Sequence, residues 1–244
     1  GIRDKLVTGV QTCAFRSIIR HFFKPLAQHG ETTSFIAEVR AGFDYVRASS
    51  MFKLMAVGSV LFSILYFSVS FPFSTAVSAS FSTDAEVAGF LGIFSGIATA
   101  ITFFVSLFVA SRLYARIGVV NAVLLLPIAY LVGFVLFALN FALINAALAR
   151  LVQLVVLGGI AGTAYSTFFN VVPPDRRGQV RSFDSGVPEQ IGVAMSGVLL
   201  ILGQRVLTTT QIFIMGMLGA IVCGMLMWRL RGRLCGGRLA ALRR

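Results

Sequence analysis

The chain has 244 residues, 57% of them hydrophobic and only 12% charged, about half the charge of an ordinary soluble domain. That composition excludes a conventional water-soluble globule, and 23 phenylalanines against a single tryptophan point to helices whose sides meet lipid. The net charge of +12 invites a nucleic-acid reading, which the placement of the basic residues argues against.

The opening GIRDKLVTGVQTCA has no initiating Met and no signal-peptide pattern. It resembles a translated sequencing-adapter read-through. Residues 1–14, with Asp4 and Cys13, are therefore expected to be non-native and the chain a fragment; an ordinary linker is the plain alternative. Residues 15–50 are expected to form a cytoplasmic linker. Within it, Phe35, Val39, Phe43 and Val46 recur at i, i+4, i+8 and i+11, an amphipathic helix suited either to the membrane surface or to a soluble connector.

A span of the hydrocarbon core needs about 20 mostly apolar residues. Six stretches qualify, near 52–75, 87–110, 119–139, 143–169, 187–204 and 210–228, here called spans one to six. They predict an all-α, integral membrane six-helix bundle over residues 51–229, followed by a basic cytoplasmic tail over 230–244. Ser82-Thr83-Asp84-Ala85-Glu86 reads as a capping box opening span two.

Short connections make the spans alternate in direction. The basic residues then gather on one face: Arg3 to Lys53 before or at the start of span one, Arg112 and Arg116 after span two, Arg176, Arg177 and Arg181 after span four, and Arg229 to Arg244 at the end. Only Arg150 and Arg205 fall elsewhere. This bias predicts a multi-pass inner-membrane protein with both termini cytoplasmic, whose basic charge meets anionic lipid and no nucleic acid.

Small polar residues form stripes. Ser59, Ser63, Tyr66, Ser70 and Ser74 line one side of span one, and Ser95, Thr99, Thr102 and Ser106 one side of span two. Span four carries Arg150, Gln153, Thr163, Ser166 and Thr167, with Asn170 at its end. Span five carries Glu189, Gly192 and Ser196 on one face, with Gln190 beside it. Spans three and six are nearly blank. Four polar helices and two apolar ones predict a three-plus-three repeat, with spans one, two, four and five around a cavity and spans three and six outside it. Hydroxyls can also bond their own helix carbonyls, and the Gly89, Gly92, Gly96 series reads as helix packing.

This organisation resembles the major facilitator superfamily, whose transporters join two six-helix halves, each of two inverted three-helix repeats. The loop Ser111-Arg112-Leu113-Tyr114-Ala115-Arg116-Ile117-Gly118 stands where that family has Gly-x-x-x-Asp-Arg-x-Gly. Arg116 and Gly118 match, while Ser111 and Ala115 replace the Gly and the Asp, which removes the acidic half of the family's loop salt bridge. The resemblance covers residues 15–230, mostly by topology. It implies the C-terminal half of a twelve-helix carrier: secondary transport of a small-molecule solute by alternating access, with the missing N-terminal half as partner. Asn170 to Arg177, followed by Arg181-Ser182-Phe183-Asp184, also resembles the matching connection in bacterial carriers related to the ATP/ADP exchangers, which implies an anionic solute.

Ionisable groups inside a bilayer raise functional hypotheses. Arg150 stands about 10 Å from the outer end of span four, and Glu189 near the cytoplasmic end of span five, roughly 10 to 17 Å apart across the core. They are expected to bracket a cavity, Arg150 attracting an anion and Glu189 a proton or cation; snorkelling and a helix-end charge are the plain alternatives. Candidate binding residues are thus Arg150, Gln153, Glu189, Gln190, Ser63, Tyr66, Thr99, Thr102 and Asn170. Candidate gating residues are Arg177, Arg181 and Asp184 as a salt-bridge cluster, Gly186 and Pro188 as a start or kink of span five, and Arg116 and Gly118. The two histidines, His21 and His29, the three dispersed cysteines and the scattered acids give no metal pattern, cofactor motif or enzyme signature. The competing expectation, from a different class, is a transport-inactive membrane domain that anchors or senses, fused to cytosolic regulatory domains.

Overall fold

The computed structural model describes residues 35–206 and 208–241. Those residues are all-α: a helix Phe35–Ala48, then six helices long and apolar enough to cross a membrane, Ser50–Ser80, Asp84–Ile117, Val119–Leu139, Leu143–Val171, Arg176–Val206 and Thr210–Gly232. At 1.5 Å per residue the shortest, with 21 residues, is about 30 Å long, the thickness of a hydrocarbon core. The chain is thus a candidate multi-pass membrane protein. Its first 14 residues, the remainder of the linker before Phe35, both histidines and Cys13 lie outside the described residues. Val39–Arg244 forms one compact unit, and the architecture below is that of this unit.

Local chemistry sets the span ends. The Thr83 hydroxyl accepts from the Glu86 backbone N–H, while the Glu86 carboxylate accepts from the Thr83 and Ser82 N–H groups. That is the expected capping box. Between spans two and three the chain turns on one residue, Gly118, at φ 81° and ψ 152°, a conformation that only glycine adopts without strain. Its N–H bonds the Tyr114 carbonyl. This backbone demand accounts for Gly118 by itself. Arg116 is exposed and forms no hydrogen bond or ion pair among the described residues.

Span five is longer than expected and jointed in the middle. Helix Pro174–Gly186 runs into helix Pro188–Val206 through Val187, where φ is −116° and ψ −66°. The Val187 N–H still reaches the Phe183 carbonyl, and Ile191 N–H the Val187 carbonyl, both at 2.9 Å. Pro188 therefore interrupts one hydrogen bond, the one to Asp184, without starting a new span. Of the two expectations for this segment, the kink is the one observed. Span six likewise continues as helix to Ala241, into the stretch expected to be a tail.

Spans one and five run parallel and touch backbone to backbone. A Cβ on Gly192 would stand 2.6 Å from both the Ser63 Cβ and the Val60 carbonyl oxygen. Spans two and four meet where both helices widen into π turns, Val105–Ala110 and Leu157–Ala161, with Gly158 against Thr102 and Gly159 against Val105. Span three inserts between four and six: Gly133 faces Ala149, and Gly216 seats on the Phe134 ring.

Span three is the most buried of the six, with half of its most apolar stretch inside, against 11% for span two and 17% for span five. This corrects the expectation that span three stands outside the others. An all-apolar helix satisfies protein and lipid equally well, so its blank sequence did not say which of the two it meets. The glycine series also departs from expectation. A Cβ on Gly89, Gly92 or Gly96 would meet nothing within 4 Å, so these residues pack against nothing in the described chain.

Two apolar cores stack along the bundle. One gathers Phe52, Met55, Ala164, Phe168, Val180, Phe183 and Met227 toward the end that carries most arginines. The other gathers Leu65, Val69, Phe73, Tyr130, Phe134, Phe137 and Phe213 toward the opposite end. The helix Phe35–Ala48 joins the first core by Val46, with Gly42 pressed on Phe183. Phe43 makes an edge contact with Phe183 but stays 48% exposed. Its bundle-facing side is thus centred on Gly42 and Val46.

Candidate functional site

Between the two apolar cores lies a polar layer. Ser59, Ser63, Gln153 and Asp184 are buried there, and buried polar groups require partners. Span one supplies Ser59 and Ser63 because hydroxyls four residues apart share a helix face. Around the layer opens a cavity of about 490 Å³, lined by Ser59, Phe62, Ser63, Tyr66 and Phe67 of span one, Tyr130 of span three, Leu157 and Tyr165 of span four, and Asp184, Glu189 and Val193 of span five.

Behind Tyr66, at the upper wall, lies an arginine clamp. One Arg150 nitrogen donates to the Gln153 Oε1 at 2.6 Å and another to the Tyr66 hydroxyl at 2.8 Å. The guanidinium carbon lies 4.5 Å from the centroid of the Tyr66 ring, a cation–π contact. Gln153, fully buried, fixes the assembly by donating to the Tyr66 backbone carbonyl at 3.2 Å. Arg150 is therefore held against spans one and four by side-chain hydrogen bonds. Its described partners are neutral, and a guanidinium has five N–H donors, which leaves capacity for an anion.

The lower wall is a hydroxyl–carboxylate cluster. Ser59 donates to the Asp184 Oδ2 at 2.8 Å and lies 2.8 Å from the Tyr165 hydroxyl. Tyr165 also reaches the Met55 carbonyl at 3.2 Å and Asp184 at 3.5 Å, its ring held among Phe62, Phe168 and Phe169. Between the walls, the Tyr130 hydroxyl is buried beside the Gln153 side chain and makes no well-formed hydrogen bond among the described residues, although a buried phenol ordinarily has one. A polar guest in the adjoining cavity would supply it.

The expected residues divide. Ser63, Tyr66 and Glu189 line the cavity, and Arg150 and Gln153 stand directly behind Tyr66. Because span five begins at Arg176, Glu189 lies about 20 Å from the observed helix start, near mid-span and not at its end, about 16 Å deeper than expected. Gly192 and Ser196 are buried while Glu189 and Gln190 are exposed, so the expected polar face splits: Gly192 seals span one to span five and Glu189 looks into the cavity. Gln190, Thr99 and Asn170 are exposed and do not line it; Thr102 is half-buried against Gly158.

The expected salt-bridge cluster is not formed. Arg177 donates to the Asn170 and Val172 carbonyls at 3.3 Å, closing the end of span four, and Arg181 is exposed. Asp184 turns the other way, into the bundle. Span two contributes nothing to the cavity lining, so three polar spans, joined by Tyr130, replace the expected four. Tyr130 and Tyr165 were missed because phenylalanine-like rings blend into apolar spans. The available signal was that a phenol inside a bilayer needs a partner.

A scan against protein-family models finds no match for this chain, and a search of curated proteins finds no similar sequence.

Proposed function

We propose that this chain is half of a secondary transporter of the major facilitator type, moving a small anionic solute by alternating access. The observation that carries the proposal is Arg150. It is a half-buried cation in the middle of an apolar bundle, beside a polar cavity, with no carboxylate partner among the described residues. An uncompensated charge at such a place is costly, and functional sites are where membrane proteins keep one.

Two further features support the half-carrier reading. Spans two and five are the least buried, and span two leaves Ser95 and Thr99 bare, as faces awaiting a second bundle would be. The alternation of polar and apolar spans in the sequence and the Arg116–Gly118 match supply the family resemblance, and the one-sided arginines favour an inner-membrane orientation with both termini cytoplasmic. A cavity with an orphaned hydroxyl favours transport over a purely anchoring or sensing domain.

The test is uptake of a panel of labelled organic and inorganic anions into vesicles bearing the protein, compared with Arg150→Gln. A charge-assisted hydrogen bond is worth about 1.5–3 kcal/mol, so uptake efficiency should fall about 10- to 100-fold. Equal uptake by both proteins rejects the proposal.

A further inference from the structure

We propose that Asp184 is a proton-binding site built into the bundle, with Ser59, Tyr165 and the Met55 backbone carbonyl as the hydrogen-bond chain that follows its protonation. The inference rests on the carrier reading only for what the proton would drive; the site itself stands on geometry.

Asp184 is buried in span five, about 12 Å along it from Arg176. Ser59 sits at a matching depth of about 13 Å in the parallel span one, which begins at Ser50. Buried carboxylates are ordinarily paired with a cation, and among the described residues the hydrogen-bond partners of this one are the hydroxyls of Ser59 and Tyr165. Arg177 is spent on two backbone carbonyls, Arg150 on Tyr66 and Gln153, and Arg181 is exposed. The groups around Asp184 that can titrate or carry charge are Tyr165 of span four, Glu189 of its own span, Tyr66 and Tyr130 across the cavity, and Cys223 of span six. On the helix Phe35–Ala48, Arg40, Asp44 and Arg47 are exposed. None of these is a cation against the carboxylate, whereas a proton would neutralise it in place.

The four oxygens suit both states. With Asp184 ionised, Ser59 donates to it and Tyr165 donates to Ser59, each across 2.8 Å. When the carboxylate takes a proton from a hydronium ion in the cavity, an O–H bond of that ion breaks as one forms on Asp184, neutral water is left, and the carboxylate's charge is neutralised. That O–H can donate to the Ser59 oxygen, the Ser59 hydroxyl to Tyr165, and Tyr165 to the Met55 carbonyl 3.2 Å away. Ser59 donates once and accepts once in either sense, while Tyr165 turns its single proton from Ser59 to the Met55 carbonyl. The carbonyl of Met55, on the turn before Ser59, ends the chain with an acceptor that is never a donor. Opening onto the same cavity as Glu189 and Tyr66, the carboxyl is placed to exchange its proton with the space a solute would occupy.

The experiment is infrared difference spectroscopy of the full chain in lipid vesicles across a pH series, following the carbonyl stretch of protonated carboxyl groups. The expected result is a pH-dependent band, absent in Asp184→Asn, retained in Glu189→Gln, and shifted in frequency in Tyr165→Phe, which keeps Asp184 but removes a chain member. Sodium chloride added at constant pH should leave the band in place. A band that survives Asp184→Asn, the absence of any such band, an unmoved frequency in Tyr165→Phe, or erasure of the band by sodium overturns the proposal. Arg150-dependent uptake without the band sinks this site and leaves the carrier; the band with uptake unchanged by Arg150→Gln does the reverse.

Discussion

Spans one and two carry polar stripes that look alike in sequence and meet opposite fates. In span one, Ser59 and Ser63 are buried and Tyr66 holds Arg150. In span two, Ser95, Thr99 and Ser106 are exposed. The difference lies in what stands opposite. Span one faces Gly192, whose missing side chain lets the two backbones meet, and it faces Gln153, Tyr165 and Asp184, which answer its hydroxyls. Span two approaches span four only through the π turns, where its stripe contributes Thr102 against Gly158. A polar stripe therefore marks a helix able to line a cavity, and its neighbours decide whether it does.

The contrast is broken most severely at the glycines. Gly192→Val places atoms where Ser63 and the Val60 carbonyl already stand, and neither backbone can yield without separating spans one and five. Overpacking costs about 1–3 kcal/mol and more where backbone is the obstacle. Gly96→Val meets open space, so its effect should stay within about 0.5 kcal/mol. Cys223, buried and free, reports the difference. In a Cys13→Ser, Cys235→Ser background, maleimide should label it far faster in Gly192→Val than in Gly96→Val during detergent denaturation. Equal labelling would mean that spans one and five are not in contact.

That pair of glycines also shows what the sequence made legible. Hydropathy located all six spans, and the capping box at Thr83 followed from residue types alone, because both depend on local chemistry. The expectation for Gly89, Gly92 and Gly96 came from the same local rule, small residues at helical spacing, and it failed because packing depends on a neighbour that spacing does not name. Glu189 was placed too near a helix end because Arg176 to Gly186 is too polar to register as a span, although it continues the same helix through the Val187 joint. Asp184 was read as part of a surface cluster for the same reason. Three arginines precede it in sequence, yet the helix turns it to the side that meets Ser59.

A smaller effect sharpens the role of span one. Tyr66→Phe keeps the ring beside Arg150 and deletes only the hydroxyl that accepts its hydrogen bond at 2.8 Å. The loss of a hydrogen bond to a charged group is worth about 1.5–3 kcal/mol, and water in the cavity can replace part of it. Labelling of Cys223 should accelerate less than in Gly192→Val, and anion uptake should fall less than in Arg150→Gln. An uptake loss equal to that of Arg150→Gln would show that the hydroxyl touches the solute itself.

The smallest expected effect carries the other half of the comparison. Ser95→Ala with Thr99→Ala removes two exposed hydroxyls that have no hydrogen bond among the described residues, so the stability of this chain should change by less than about 0.5 kcal/mol and Cys223 labelling should be unaltered. Uptake is where the two readings of the bare stripe separate. If a second bundle closes over span two, those hydroxyls face the shared cavity or its seam, and uptake falls although the six-helix unit is intact. If lipid covers them, uptake and stability both stay as they were, because a hydroxyl on a lipid-facing helix can bond its own backbone and contributes nothing to a solute path. A drop in uptake without a drop in stability would therefore identify the stripe as facing a partner bundle, a distinction that burial within this chain alone does not make.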